Sequence, residues 1–375
     1  MTQRQEKPID VSKLDKAMAA GPAGGADLAW HRADEPPLRL AGFAWYAQDR
    51  LFRRLPAKPK EPLPPAVDEL ANCTAGGQVR FGTTSRRVAV RVKLRGPAGM
   101  VHMPATGQCG CDLYVGPPGA QVFCTTSTYN MRQSEYEVTL FQHADARPRE
   151  FTLNFPLYQG VEELHVGLDA DAEVSPPSPY ALAGPIIFYG TSITQGGCAC
   201  RPGMAHTNIL SRKLNAEVIN LGFSGNGRGE PELARIISEI ADPALFVLEF
   251  DANVPSLELL KERLPAFIRI LREQHGRTPI LVVSRPPFAK DIHDPKALAD
   301  RIARADFQRQ AVEECRRAGD RRIEFCDGAT LMGESFHECT VDGVHPTDLG
   351  FWRLAQSMEP VIRRLALSAV EGMLA

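Results

Sequence analysis

Four short loops in the C-terminal half carry residues able to attack a carbonyl and to move a proton. Ser192 lies in Gly190-Thr191-Ser192-Ile193-Thr194-Gln195-Gly196-Gly197, directly behind the apolar run 185–189 (PIIFY). A serine wrapped in glycines after a buried strand can sit on a tight strand-to-helix turn with its hydroxyl exposed. The same string also reads as a helix cap, with Ser192 or Thr194 bonding backbone amides. Among nine histidines only His345 stands in an Asp-x-x-His unit just before a helix, in Val341-Asp342-Gly343-Val344-His345-Pro346-Thr347-Asp348. Pro346 and Thr347 read as the start of that helix. An aspartate placed like Asp342 can hold the imidazole Nδ1–H, orient the ring and stabilise the imidazolium. It can also be a plain turn residue. A metal-binding role for His345 would need further histidines or carboxylates at matching spacing, and the sequence offers none.

Two more loops could hold the negative charge that forms when a hydroxyl adds to a carbonyl. Asn220-Leu221-Gly222-Phe223-Ser224-Gly225-Asn226-Gly227 follows the run 218–221 (VINL). Its glycines let backbone N–H groups approach a ligand oxygen, with Gly225 the candidate donor, and they suit a flexible turn equally. A phosphate loop would need G-x-x-x-x-G-K-[ST] or G-x-G-x-x-G at the first turn, and neither is there. Glu249-Phe250-Asp251-Ala252-Asn253 brings Asn253, whose amide can donate to an oxyanion or shape a turn. Arg285, just after the run 279–284, is placed to meet a substrate carboxylate or to cap a helix. Arg201 and His206 trail the serine loop, where pocket lining and helix solvation both explain them.

The chain that must position these loops changes character near residue 175. Before it, short runs rich in Val, Thr, Phe and Tyr alternate with Gly/Pro turns: 87–94, 112–115, 136–140, 150–154 and 161–168. That pattern predicts an antiparallel β-sandwich over 36–174. Residues 1–35 contain AAGPAGGA and few anchors, which predicts a poorly ordered arm with a helical piece at 11–20. The Pro-rich stretch 175–184 reads as a linker. Beyond it, apolar runs at 185–189, 218–221, 244–250, 279–284 and 322–326 alternate with amphipathic stretches at 232–240, 256–274 and 295–318. Such alternation predicts an α/β domain over 185–375, a parallel sheet with helices on both faces. Ligands in such sheets bind outside the carboxyl ends of the strands, where all four loops fall. No internal repeat is visible.

Composition narrows the function classes. At 375 residues, 43% hydrophobic and 23% charged, the chain is long enough for two domains with their own cores. Forty-three basic against forty-five acidic residues leave a net charge of −2, which argues against a nucleic-acid binder with a broad basic surface. No apolar stretch nears the roughly 18 residues a membrane-spanning helix needs. The opening MTQRQEKPIDVSK has no apolar core of a secretory signal, giving the expectation of a cytoplasmic protein. Nine cysteines are odd in number and thinly spread. The pairs Cys109/Cys111 and Cys198/Cys200 are narrower than zinc-binding C-x₂₋₄-C spacings, so reduced thiols, no structural metal and no cofactor are expected.

The residues together resemble the SGNH (GDSL-type) hydrolase superfamily. Gly190-Thr191-Ser192-Ile193 looks like a variant of its Gly-Asp-Ser-Leu block, Phe223-Ser224-Gly225-Asn226 like the block with the oxyanion glycine, and Asp342 with His345 like its Asp-x-x-His block. GTSITQGGCACRPGMAHTN is similar to a subgroup that carries an N-terminal sandwich marked Gly-x-Asp-Leu-Tyr, matched here by Gly110-Cys111-Asp112-Leu113-Tyr114. The third block departs: Asp251-Ala252-Asn253-Val254 stands for the usual Gly-x-Asn-Asp, so Asn253 is placed by strand position, with Asp251 bonding nearby backbone or substrate. The resemblance implies a three-layer α/β/α domain with five parallel strands, Ser192 as nucleophile, His345 as base, Asp342 orienting it, and Ser192, Gly225 and Asn253 as oxyanion donors. It also implies an esterase for a short acyl group on a hydroxylated or carbohydrate-like small molecule, with an acyltransferase as the alternative. A binding module with a decayed site is the reading from another class, and the presence of all five residues speaks against it.

Overall fold

The computed structural model describes residues 11–371 apart from Gly24 and Ala26. The N-terminal part is built from β1 (Leu28–Arg32), β2 (Arg39–Ala41), β3 (Gln78–Thr83), β4 (Arg87–Leu94), β5 (Asp112–Val115), β6 (Val122–Thr126), β7 (Glu135–Gln142), β8 (Arg149–Asn154), β9 (Val161–Asp169) and β10 (Val174–Ser175). A four-stranded sheet, β1-β9-β4-β7, faces a six-stranded one, β10-β3-β8-β5-β6 with β2 beside β3. Alternate side chains of β4 (Val88, Val90, Val92) meet Phe81, Phe151 and Leu153 of the other sheet in one core. Period-two patterning with one face inward is what makes such strands pair face to face.

The sandwich starts earlier than residue 36. β1 pairs along β9 from Leu28 to Arg32, and Arg91 stacks on its Trp30 ring at 4.2 Å. These contacts anchor a stretch that its flanking glycines alone would make an arm. Residues 1–10 of the expected arm lie outside the described residues. Within 11–20 the backbone makes two 3₁₀ turns, Val11–Lys13 and Lys16–Met18, in place of one helix.

The second part holds five parallel strands, β11 (Ile186–Gly190), β12 (Val218–Gly222), β13 (Leu245–Glu249), β14 (Ile280–Val283) and β15 (Ile323–Cys326), in the order β12-β11-β13-β14-β15. Their side chains point alternately to two cores. Ile186, Phe188, Val247 and Val283 pack on the helices His206–Leu214 and Asp348–Glu371. Ile187, Tyr189, Phe246 and Val282 pack on Pro231–Ile237, Leu257–Gln274 and Pro295–Arg317. A strand buried on both faces is apolar at most positions, which is why these runs stand out in the sequence. Burying one such side chain contributes about 1.5–3 kcal/mol. The chain leaves β11 for β12 on one side and later β13 on the other, so the crevice at the end of β11 is the topological switch point.

The two parts interlock. Trp45, Leu55, Val67 and Ala71, from the connection between β2 and β3, join the core of the α/β sheet. Fully buried Arg54 donates to the carbonyls of Asn220 and Gly222 at the end of β12, and burial pushes its pKa down to about 10. The stretch 175–184 is fastened as well: Tyr180 OH donates to Gln78 at 2.6 Å, and Arg80 lies 3.7 Å over the Tyr180 ring. Among the described residues no helix is long and apolar enough to cross a membrane.

Candidate active site

The ends of β11, β12 and β13 lie side by side, with Gly190 paired to Gly222 on one flank and Glu249 on the other. Gly190 has to be glycine because a Cβ there would collide with Thr194 Oγ1. That close approach turns the chain sharply into the one-turn helix Ser192–Gln195. Thr191 caps it: its hydroxyl accepts from Ile193 N–H at 3.2 Å, while Thr194 Oγ1 accepts from Thr191 N–H at 3.2 Å. The cap reading of this string therefore holds for Thr194 but not for Ser192, and the N-cap itself is Thr191. Ser192 is left with its hydroxyl free of the cap and is 8% exposed. Thr194 in turn donates to Glu249 Oε2 at 2.9 Å, and His206 Nε2 lies 3.2 Å from the same oxygen.

The loop before the last helix brings His345 to the serine. His345 Nε2 is 2.8 Å from Ser192 Oγ, and its Nδ1 is 2.7 Å from Asp342 Oδ2. The other carboxylate oxygen, Oδ1, accepts the backbone N–H of Val344 at 3.0 Å and of His345 at 2.8 Å. Burial pushes the Asp342 carboxyl up, but the His345 backbone N–H, the imidazole and the Val344 N–H outweigh it and hold the group below its usual value. Asp342 is thus both a turn residue and the imidazole's partner. Carboxylate, imidazole and hydroxyl in unbroken sequence can take a proton from the serine as it attacks a carbonyl.

The β12 and β13 loops leave the sheet at the same end as the serine loop. Gly225 has φ +68°, a left-handed backbone that glycine adopts without strain. Phe223 carbonyl accepts from Asn226 and Gly227 N–H at 2.9 Å each, closing the turn around Gly225. Asn253 Nδ2 donates to the same carbonyl at 3.3 Å, which sets its amide against that turn with a second N–H to spare. The turn carrying Asn253, a 3₁₀ piece Asp251–Asn253, is held from below: Arg304 donates to the carbonyls of Asp251 and Val254, and Gln308 to Asp251 Oδ2 at 3.0 Å. Burial pushes the Asp251 carboxyl up. Asp251 therefore works as a structural pin in place of the missing glycine.

Several tempting residues point elsewhere. Arg285 is buried and gives both its Nη atoms to Asp291 at 2.8 and 3.0 Å. His206 is 1% exposed and stacks on Phe351, with ring centroids 5.9 Å apart. Arg201 reaches into the sandwich, where its Nη1 meets Asp112 Oδ2 at 2.8 Å and the Tyr114 hydroxyl at 2.6 Å. Asp112 Oδ2 also accepts Gly203 N–H at 2.8 Å, and Oδ1 accepts Asn154 at 2.7 Å. The Gly-x-Asp-Leu-Tyr motif is thus a clamp on the segment that follows the serine helix. Removing one partner of a buried pair like this costs about 3–5 kcal/mol, because the remaining charge is stranded.

Neighbours supplied by the sandwich were not legible in the sequence. Tyr158, between β8 and β9, donates its hydroxyl to Ser192 carbonyl at 3.1 Å. His102, from the connection between β4 and β5, packs edge-on to His345 with ring centroids 5.8 Å apart. Cys198 is buried beside them, and burial together with the Asp342 charge pushes its thiol up to about 11.

Comparison with known proteins places this arrangement. Residues 183–363 match the family model described as GDSL-like Lipase/Acylhydrolase family. Residues 28–174 match the one described as N-terminus of Esterase_SGNH_hydro-type. The chain is similar to a GDSL-like lipase from Bacteroides ovatus, with 30% identity over 90% of this chain and 98% of that one and a TM-score of 0.82. It shares the fold of salicylyl-acyltransferase SsfX3 from a tetracycline biosynthetic pathway, at 21% identity, 91% and 98% coverage and a TM-score of 0.72. The fold also recurs in a family two carbohydrate esterase from Clostridium thermocellum, at 16% identity, 77% and 92% coverage and a TM-score of 0.57. No match was found among curated proteins. Two family matches on successive parts of the chain, and a relative 30% identical along nearly its whole length, show that the chain belongs to the GDSL-like (SGNH) lipase/acylhydrolase family and is an ester hydrolase with that family's GxDLY N-terminal domain.

Proposed function

We propose that the protein removes a short, acetyl-type acyl group from a hydroxylated or carbohydrate-like small molecule, using Ser192, His345 and Asp342. The observation that carries this is the chain of contacts from Ser192 Oγ through His345, 2.8 Å on one side, to Asp342, 2.7 Å on the other. His345 Nε2 takes the hydroxyl proton while Oγ bonds to the ester carbon. The carbonyl oxygen becomes an oxyanion, held by the N–H of Ser192 and Gly225 and the amide of Asn253. Loss of one such donor typically lowers turnover by about 10²–10³. Collapse expels the alcohol, which takes its proton from His345, and leaves an acyl-Ser192 ester. Water, deprotonated by His345, then releases the acid. None of these steps needs a metal or cofactor.

The substrate class is supported by the fold shared with a carbohydrate esterase. All nine cysteines are free thiols, the usual condition in a reducing compartment, which supports a cytoplasmic setting. Nucleic acid and membrane have no part in this reading. A second reading, transfer of the acyl group to a metabolite hydroxyl, is supported by the fold shared with a salicylyl-acyltransferase. Reaction with p-nitrophenyl acetate, with and without sugar acceptors, separates the two. Hydrolysis predicts free acetate equal to the nitrophenol released, whether or not acceptor is present. Acetylated acceptor, with free acetate near background, would overturn it in favour of transfer.

A further inference from the structure

Two side chains beside the triad take no part in the proton relay. The His102 ring nitrogen lies 3.9 Å from Asp342 Oδ2, and its side chain is 40% exposed. Cys198 is a free, buried thiol on a backbone with φ +77°, a conformation that non-glycine residues hold only where their surroundings impose it. One nitrogen from each of His102 and His345 and the Cys198 sulfur all lie within 4.8 Å of one another.

We propose that His102, Cys198 and His345 form a binding site for a divalent ion of the zinc class, and that its occupancy switches the esterase off by withdrawing His345 from Ser192. The inhibition rests on the reading of His345 as the base; the binding itself does not. Two imidazoles and a thiolate are the donors that zinc prefers, whereas magnesium and calcium require oxygen. Tetrahedral zinc, with bonds of about 2.0–2.3 Å, sets its donors roughly 3.4–3.8 Å apart. The widest-spaced pair therefore needs to close by about 1 Å, through rotation of the exposed His102 side chain and of His345 as it leaves Ser192. Asp342 already holds His345 Nδ1, which leaves Nε2 for the ion. A carboxylate on the far nitrogen is the usual partner of a metal-binding histidine. On binding, the Cys198 S–H bond breaks, its proton passes to solvent and the sulfur donates to the ion. A fourth position remains for water.

Sequence spacing conceals this set, because His102 comes from the sandwich and the other two from different loops of the α/β domain. The test uses the full chain and zinc chloride, with affinity read by competition against a zinc-sensitive dye. Wild-type protein is expected to bind one zinc ion, to lose hydrolysis of p-nitrophenyl acetate and fluorophosphonate labelling of Ser192 in step with occupancy, and to recover both with EDTA. Cys198→Ser and His102→Ala are expected to keep basal hydrolysis within about twofold. Each should bind zinc at least about 100-fold more weakly, since even partners one bond removed from a metal are worth 10–100-fold. His102→Ala alters an exposed loop and keeps the test valid should Cys198→Ser fail to fold. Equal zinc affinity in wild type and both variants, no zinc binding at all, or equal inhibition by magnesium would each overturn the site. Zinc binding by a wild-type protein that hydrolyses no ester would leave the site standing and remove the esterase reading instead.

Discussion

Ser192→Ala is expected to lower kcat for an activated acetyl ester by about 10⁶, the loss typical when a serine nucleophile backed by histidine is removed. Ser192 Oγ stands 2.8 Å from an imidazole nitrogen at the switch point of the sheet. The helix turn beneath it is held by Thr191 and Thr194, whose cap survives the substitution. Stability should therefore change little, since one lost hydrogen bond is worth about 1 kcal/mol. Steady-state kinetics with a melting curve on the same preparation checks both halves. The losses for Ser192→Ala, His345→Ala and the double variant should be nearly equal, because the groups act as one unit. A fall of less than about 100-fold would mean that water reaches the ester without an acyl-enzyme.

Asp342→Asn is expected to lower kcat by about 10⁴, as in other serine triads where the fold survives but the imidazole takes the wrong tautomer. The geometry specifies why. Oδ1 is committed to the backbone N–H groups of Val344 and His345. An asparagine must keep its carbonyl oxygen there, so its NH₂ group turns to His345 Nδ1 in place of Oδ2. Nδ1 then has to accept, which puts the ring proton on Nε2, facing Ser192, where it can no longer take the hydroxyl proton. The measurement is kcat with a melting temperature; Asp342→Asn should fold like wild type because both backbone bonds remain. Unchanged kcat would show that Asp342 serves only the turn.

How much of this could be read from the chain depends on which residues carried the information. The five parallel strands were legible because burial on both faces keeps them mostly apolar, with Asn220 of β12 tolerated through its bonds to Thr194 and Thr207, and the Ser192, Gly225 and Asn253 loops follow three adjacent strands directly. The sandwich is less legible. β3 is buried throughout yet contains Gln78 and Arg80, which are tolerated because Gln78 bonds Asn154 and Tyr180, and Arg80 bonds Ser178 carbonyl. Partners that distant leave no local pattern. β6 is short and buries none of its residues fully, so its alternation is weak. The meaning of the Asp112 motif, and the arrival of Tyr158 and His102 beside the serine, depend on how the two parts interlock. Pairwise contacts across that boundary have no period in the sequence.

The most direct measurement is to react the protein with a fluorophosphonate, digest it and map the adduct by mass spectrometry. The expected result is a single adduct on Ser192, absent from Ser192→Ala and greatly slowed in Asp342→Asn. An adduct on Ser224 of the neighbouring loop or on any other residue, or no adduct while the protein still hydrolyses p-nitrophenyl acetate, would contradict a Ser192 acyl-enzyme.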